Sequence, residues 1–208
     1  MSIRNLLFDL GGVVVDIRRQ NCVDAFVRLG LPDAESYFGE YAQTGIFMAL
    51  EDGSASTDEF HSVLRKAFPN PEAVTDKEID DAFEQFIVGI PEHRLRALVE
   101  LRKRYGIYLL SNTNPVMWDG VLAREFAKLP PMRREDYFDG MVTSFEAHSA
   151  KPDAEIFRYT SRMLGIKPEE TLFFDDSEAN VEAARALGFK AVHVAPGTEF
   201  MDYLCDED

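Results

Sequence analysis

Cysteine is scarce in this chain: two among 208 residues, Cys22 and Cys205, far apart and in no metal-ligand spacing. That excludes a disulfide framework or a thiolate metal site and predicts buried thiols in a reducing compartment. No apolar run approaches the roughly 18 residues of a membrane span, and Asn5 and Asp9 break up the opening segment where a secretory leader needs an unbroken stretch. Positive charge is also short, with 22 Lys and Arg against 37 Asp and Glu, a net −15. Nucleic acid and anionic membrane surfaces both require clustered Lys and Arg, so neither is an expected partner. A local pocket can still be positive on an acidic protein. Neither G-x-G-x-x-G nor G-x-x-x-x-G-K-[ST] occurs, which removes the common nucleotide-binding loops, and nothing repeats. The expectation is a soluble cytoplasmic protein, monomer or homodimer.

With 46% hydrophobic residues the chain can bury a sizeable core. Leu6, Leu7 and Phe8 form an apolar run without alternation, as expected of a strand covered on both faces in a parallel sheet. Asp9 follows at once, then Gly11-Gly12, which permit a tight turn and close approach of main-chain amides to a ligand. An acid at the carboxyl end of such a strand stands where open α/β sheets bind ligands.

After Asp16 the pattern is helical for about seventy residues. Cys22, Val23, Phe26 and Val27 recur at helical spacing, and Tyr37 to Leu50 reads as a helix broken near Gly45. The capping boxes Ser56–Glu59 and Thr75–Glu78 open two more helices, with Phe60, Val63 and Leu64 inward in one and Ile79, Phe83, Phe86 and Ile87 in the other. With no strands among them, these helices are predicted to pack as a bundle over 17–89, inserted into a core made of 1–16 and 90–208. From Pro91 the chain alternates: a helix over 91–105, a strand at Ile107–Leu110, a helix at Trp118–Lys128, a weaker strand at Met141–Thr143, a helix carrying Ile156, Phe157 and Met163, a strand at Leu172–Phe174, a helix over 177–187 and a last strand at Ala191–Val194. This rhythm predicts an α/β, Rossmann-like doubly wound parallel sheet.

Polar residues stand at the ends of three strands: Asp9, Ser111 and Asp175-Asp176. In a parallel sheet those ends share one edge. Lys151 joins from the loop Ser149–Asp153, whose Pro152 is expected to hold the backbone extended. Three acids, a hydroxyl and a lysine suit a hard divalent cation and an oxyanion. For any one of Asp153, Asp175, Asp176 and Ser177, helix capping is the plain alternative.

The segments Phe8-Asp9-Leu10-Gly11-Gly12, Leu110-Ser111-Asn112, Lys151-Pro152 and Phe174-Asp175-Asp176 resemble, in that order, the four motifs of the haloacid dehalogenase superfamily. The helical insertion resembles the C1 cap. The wording of the motifs is closest to the group of α-D-glucose-1-phosphate phosphatases and the phosphatase domain of soluble epoxide hydrolases. The resemblance spans nearly the whole chain, and its short motifs are specific in order and spacing. It implies a Mg²⁺-dependent phosphomonoester hydrolase of a small phosphorylated metabolite, with a sugar phosphate as one candidate and with a cap that closes to exclude water. Asp9 is then the nucleophile that forms an aspartyl-phosphate. The implied metal ligands are Asp9, Asp176, the Gly11 carbonyl and, through water, Asp175. Gly11, Gly12, Ser111, Asn112 and Lys151 are implied phosphate contacts, and Asn180 orients them.

One position departs from the family pattern. Its phosphatases usually carry an acid/base aspartate two residues after the nucleophile, where this chain has Gly11. Three readings follow: another residue substitutes, with Asp16, His61 and His148 as candidates; a good leaving group needs no acid; or the protein is a phosphate-binding pseudo-enzyme. A 2-haloacid dehalogenase needs no metal, and the Asp175-Asp176 pair speaks against it. His93 and His193 are expected in ordinary surface or core roles and Trp118 in packing. Among Phe38, Tyr41, Phe47 and Met48, one or two are expected to line the substrate. Residues 205–208 are expected to form a solvated tail.

Overall fold

The computed structural model describes residues 2–39 and 43–204. The first strand, β1 (Asn5–Phe8), sends Leu7 into one apolar cluster and Leu6 and Phe8 into another on the opposite face, all three fully buried. β2 (Asp16–Ile17) follows, then α1 (Arg19–Leu29), a 3₁₀ turn at Ala34–Tyr37, α2 (Gly45–Glu51), α3 (Thr57–Arg65), α4 (Asp76–Glu84) and β3 (Ile87–Gly89). The second half contains α5 (Glu92–Leu101), β4 (Gly106–Ser111), α6 (Pro115–Asp119), α7 (Val121–Phe126), α8 (Arg134–Tyr137) and β5 (Gly140–Thr143). It continues with α9 (Ser144–Ala147), α10 (Ala154–Leu164), β6 (Thr171–Asp175), α11 (Glu178–Ala186) and β7 (Lys190–His193).

Five strands form one parallel sheet in the order β5-β4-β1-β6-β7, the α/β architecture expected from the sequence. Phe8 lies beside Leu109 on one side and Phe174 on the other, so the residues that follow these strands emerge together at one edge. One face of the sheet packs under α10 and α11 through Ile156, Phe157, Val181 and Ala184. The other face is continuous with the interior of the helical insertion, where Phe26, Phe38, Phe47, Phe60 and Phe83 are all buried. Both expected capping boxes form, Ser56 with Glu59 and Thr75 with Glu78.

Several local expectations are corrected. Ile87 is not helical: β3 pairs antiparallel with β2, Asp16 opposite Gly89, a two-stranded ribbon where the chain enters and leaves the insertion. A three-residue strand has too little periodicity to be told from the end of the preceding helix. Gly45 begins α2 instead of breaking a longer helix. The helix expected at Trp118–Lys128 is two short ones meeting at Gly120, and the connection after it contains α8. Val27, Val63 and Met163 are exposed, because each lies at the rim of its helix's apolar stripe, where spacing alone does not separate rim from centre. The Lys151-Pro152 peptide is cis. Trp118 packs as expected, with the Arg134 guanidinium 3.7 Å above its ring. Tyr41 and residues 205–208 lie outside the described residues.

Candidate active site

Asp9 remains in register with the sheet: its N–H donates to the Phe174 carbonyl at 2.8 Å, which sets it beside Asp175 at the end of β6. The chain then turns through the glycines, closed by Gly12 N–H to Val15 O at 2.9 Å and Val15 N–H to Leu10 O at 2.8 Å. Gly12 has φ +72°, and a Cβ there would stand 2.2 Å from Asp176 Oδ2. Only glycine takes both this conformation and this approach. A Cβ on Gly11 would stand 3.3 Å from Ile17 Cδ1, so the place of the family's usual aspartate is partly occupied by the ribbon.

Lys151 is buried with its ammonium between two acids, 2.7 Å from Asp9 Oδ1 and 2.6 Å from Asp175 Oδ2. Its loop is clamped by Asn112, whose Oδ1 accepts the Lys151 N–H at 2.9 Å and whose Nδ2 donates to the Lys151 carbonyl at 3.0 Å. Asp175, with no exposure, accepts from the Ser177 N–H at 2.8 Å and from Asn180 Nδ2 at 3.0 and 3.2 Å. His193 Nε2 lies 2.9 Å from the Asp176 carbonyl, a brace on the site that the sequence did not suggest. Asp153 turns out to be a helix cap, accepting from the Glu155 N–H.

Such crowding has an electrostatic cost. Burial pushes the Asp9 carboxyl up to about 8, with Lys151 pulling it down and Asp175 and Asp176 adding to the rise. Asp176 is raised by burial and by Asp175. Burial opposes the charge on Lys151, yet Asp175 and Asp9 hold its pKa above the ordinary lysine value. One ammonium does not neutralise three converging acids. Asp9, Asp175 and Asp176 each bring an oxygen within 4.8 Å of the others, an all-oxygen donor set suited to a hard cation such as Mg²⁺. The missing side chain at Gly12 leaves room for Asp176 to join it.

A cavity of about 260 Å³ opens over these groups. Asp9, Gly11, Asn112, Lys151, Asp176 and Asn180 line it from the sheet edge, and Ile17, Gln43, Glu51 and Phe86 from the ribbon and insertion. Ser111 lies behind this lining, 1% exposed, with its hydroxyl 3.3 Å from the Asn112 carbonyl. Phe38 and Phe47 are core and Met48 is exposed; Phe86 supplies the aromatic wall instead. None of the three suggested acids lines the cavity: Asp16 pairs with Arg94 at 2.8 Å, His61 with Asp80 at 2.7 Å inside the insertion, and His148 ends α9. His93 sits on the surface by Glu199. Glu51, one of 37 acids, carries no motif that could have singled it out.

A model of the haloacid dehalogenase-like hydrolases matches residues 3–188. The chain belongs to this family. It is 37% identical over 203 residues to the D-ribitol-5-phosphate phosphatase of Bacteroides thetaiotaomicron, a match covering 97% of each chain. It is 26% identical over 216 residues to the glyceraldehyde 3-phosphate phosphatase of Methanocaldococcus jannaschii, covering 99% of this chain and 90% of that one. A HAD family enzyme of B. thetaiotaomicron, solved with magnesium and inorganic phosphate, superposes with a TM-score of 0.91 at 37% identity, covering 98% of this chain and 100% of that one. In this haloacid dehalogenase-like hydrolase, then, the converging acids stand in a scaffold whose near relative was crystallised with that ion and that anion. Among the described residues, no helix is long and apolar enough to cross a membrane.

Proposed function

We propose that this hydrolase is a Mg²⁺-dependent phosphatase of small polyhydroxylated phosphomonoesters, sugar or polyol phosphates, working through an aspartyl-phosphate on Asp9. The observation that carries the reading is the Asp9–Lys151–Asp175 chain with Asp176 beside it: a cavity-facing carboxylate whose repulsion toward a phosphate dianion is offset by a buried ammonium and would be offset further by a cation held in the acid cluster. Asp9, Asp175, Asp176 and the Gly11 carbonyl would hold the metal, and Mg²⁺ bound there would supply charge neutralisation for the attack. Asp9 attacks phosphorus as its carboxylate, a form that Lys151 favours against the opposing burial, and Lys151 neutralises the transferring group. Ser111, whose hydroxyl donates to the Asn112 carbonyl behind the cavity lining, reaches a phosphate oxygen only by turning that hydroxyl toward the cavity. The turn at Gly11-Gly12 brings main-chain amides to the phosphate. Asn112, its amide engaged on both sides by the Lys151 main chain, holds that lysine in place. Asn180 steadies Asp175.

The relatives' names support the substrate class, and the cavity, just under the roughly 300–1,000 Å³ of common ligand sites, suits a small substrate. Residues 17–89 serve as the cap in this reading, rocking on the β2–β3 ribbon to close over the substrate. Incubation with Mg²⁺ and p-nitrophenyl phosphate, then with ribitol, glucose and glyceraldehyde phosphates, tests it. Turnover that EDTA abolishes is expected. Absence of turnover with every phosphomonoester, in folded protein that still binds phosphate, would leave the pseudo-enzyme; halide release from 2-haloacids in EDTA would point to a dehalogenase.

A further inference from the structure

Gly11 leaves the reaction without the acid that usually protonates the leaving oxygen, and of the three groups suggested by sequence Asp16 and His61 are paired elsewhere while His148 does not line the cavity. Three acids among the described residues line the cavity: Asp9, Asp176 and Glu51. The first two belong to the cluster that holds the cation. Glu51 stands across from them, at the last position of α2. No hydrogen bond or ion pair engages its carboxyl among the described residues.

Its main chain, by contrast, is fixed. The fully buried Ser144 hydroxyl donates to the Glu51 carbonyl at 2.6 Å and accepts the Thr113 N–H at 3.0 Å. Thr113 lies two residues beyond the end of β4, in the loop that carries Asn112. One hydroxyl thus ties the end of the insertion helix to the loop at the floor of the site.

We infer that Glu51 is the general acid and base of this phosphatase, delivered by the helical insertion in place of the residue missing at Gly11. The inference rests on the phosphatase reading and adds to it the group that handles the proton. In the first step Asp9 attacks phosphorus, the bond from phosphorus to the substrate's alkoxide oxygen breaks, and the Glu51 carboxyl gives that oxygen its proton to form the alcohol. In the second step the Glu51 carboxylate takes a proton from water as the water oxygen attacks the aspartyl-phosphate. The phosphorus–Asp9 bond breaks, inorganic phosphate leaves, and both carboxyls return to their starting state.

The surroundings suit a group that must begin protonated. Burial pushes the Glu51 carboxyl up to about 7, with the Lys151 ammonium drawing it down and Asp52 adding to the rise. The other titratable groups on the elements around it are Asp9 and Asp176 in the cavity lining and, where α9 packs against α2, His148 beside Gly53 and Glu146, whose carboxylate accepts from Thr143. A proton-transfer group works best with a pKa near the working pH.

The test compares leaving groups in Glu51→Gln, using p-nitrophenyl phosphate, whose phenolate leaves unaided, and D-ribitol 5-phosphate or the sugar phosphate hydrolysed fastest by the unaltered protein. The expected result is a fall in kcat/KM of about 10²- to 10⁴-fold for the alkyl phosphate and of less than about tenfold for the aryl one. Slowed hydrolysis of the aspartyl-phosphate is expected to produce a burst of p-nitrophenolate, one per active site, in the variant alone. Glu51→Asp, which keeps an acid, is expected to recover part of the alkyl activity and to lose the burst. Equal losses on both substrates, or a raised KM with unchanged kcat, would overturn the role and leave Glu51 a structural or hydroxyl-binding residue. Hydrolysis of aryl but of no alkyl phosphate by the unaltered protein overturns it too, and with it the sugar- or polyol-phosphate substrate class, while phosphatase chemistry on Asp9 stands. Absence of turnover with either substrate removes both.

Discussion

The interior of the helical insertion and the carboxyl edge of the sheet are both largely withdrawn from water, yet they are built from opposite materials. Phe47 touches Phe26, Phe38, Phe60 and Phe83 at ring-centroid distances of 4.7 to 5.4 Å, mostly in tilted and edge-on arrangements worth about 0.5–1.5 kcal/mol per pair beyond their area. At the sheet edge, Asp9, Lys151 and Asp175 are removed from water together, where the desolvation penalty can exceed the Coulombic gain. The first region is organised for stability. The second is organised for a task and draws its tolerance from the rigid strands on either side.

Asp9→Asn separates the two kinds of region most sharply. Turnover is expected to fall on the order of 10⁴-fold or more, while the thermal midpoint in EDTA holds or rises, because the change removes an acid that burial already disfavours in its charged form. Kinetics and calorimetry on one sample check both halves, and a large drop in midpoint would erase the contrast.

Next in size is a matched pair. Lys151→Met leaves two acids buried without their ammonium, at about 3–5 kcal/mol. Phe83→Ala opens a void in the aromatic cluster, at about 3–5 kcal/mol. Urea titrations should show similar losses, but only the lysine variant should also lose activity per folded molecule. An equal loss of activity in Phe83→Ala would mean that the aromatic cluster also governs the geometry of the site.

A smaller effect is the response to pH without metal. Asp9 at about 8 and Glu51 at about 7 lie above the values of roughly 4 expected in the unfolded chain. Carboxyls raised in this way contribute stability that is fully present below about pH 4 and is lost as pH rises through 7 and 8. In EDTA the midpoint should therefore fall between pH 6 and 9, and saturating Mg²⁺ should flatten that slope. Glu199 has the opposite sign: its hydrogen bonds with Arg94 hold it below the usual range, so its contribution is lost only as pH falls through the acid region. A midpoint that rises from pH 6 to 9 in EDTA would show that the acids are not crowded as described. The smallest expected effect is that of Ser56→Ala at the capping box of α3, about 1 kcal/mol with kinetics unchanged.

Much of this arrangement was legible beforehand. The meeting of Asp9, Asp175 and Lys151 was expected because the two acids follow apolar strands, whose carboxyl ends share one edge in a parallel sheet, and the lysine sits in a recognisable loop. Capping boxes are local chemistry and were read correctly at Ser56 and Thr75. The β2–β3 ribbon was missed because its strands of two and three residues exist only through each other. Asn112 lines the cavity as expected of a ligand contact, and its amide also clasps a loop 39 residues away, a partner no local pattern shows. Glu51 carries no local signal, since its place in the cavity lining with Lys151 and its tie to the Ser144 hydroxyl 93 residues on are set only by folding.

The amino-acid order by itself determined the doubly wound sheet, the acids at its edge and the absence of a side chain at position 11, because these depend on periodicity and on residue type. Tertiary structure alone decided which acid faces the cavity without a partner and which suggested acids are taken up elsewhere. Those outcomes depend on distances between segments that no local pattern encodes, and on the competition for a few buried counter-charges that folding resolves.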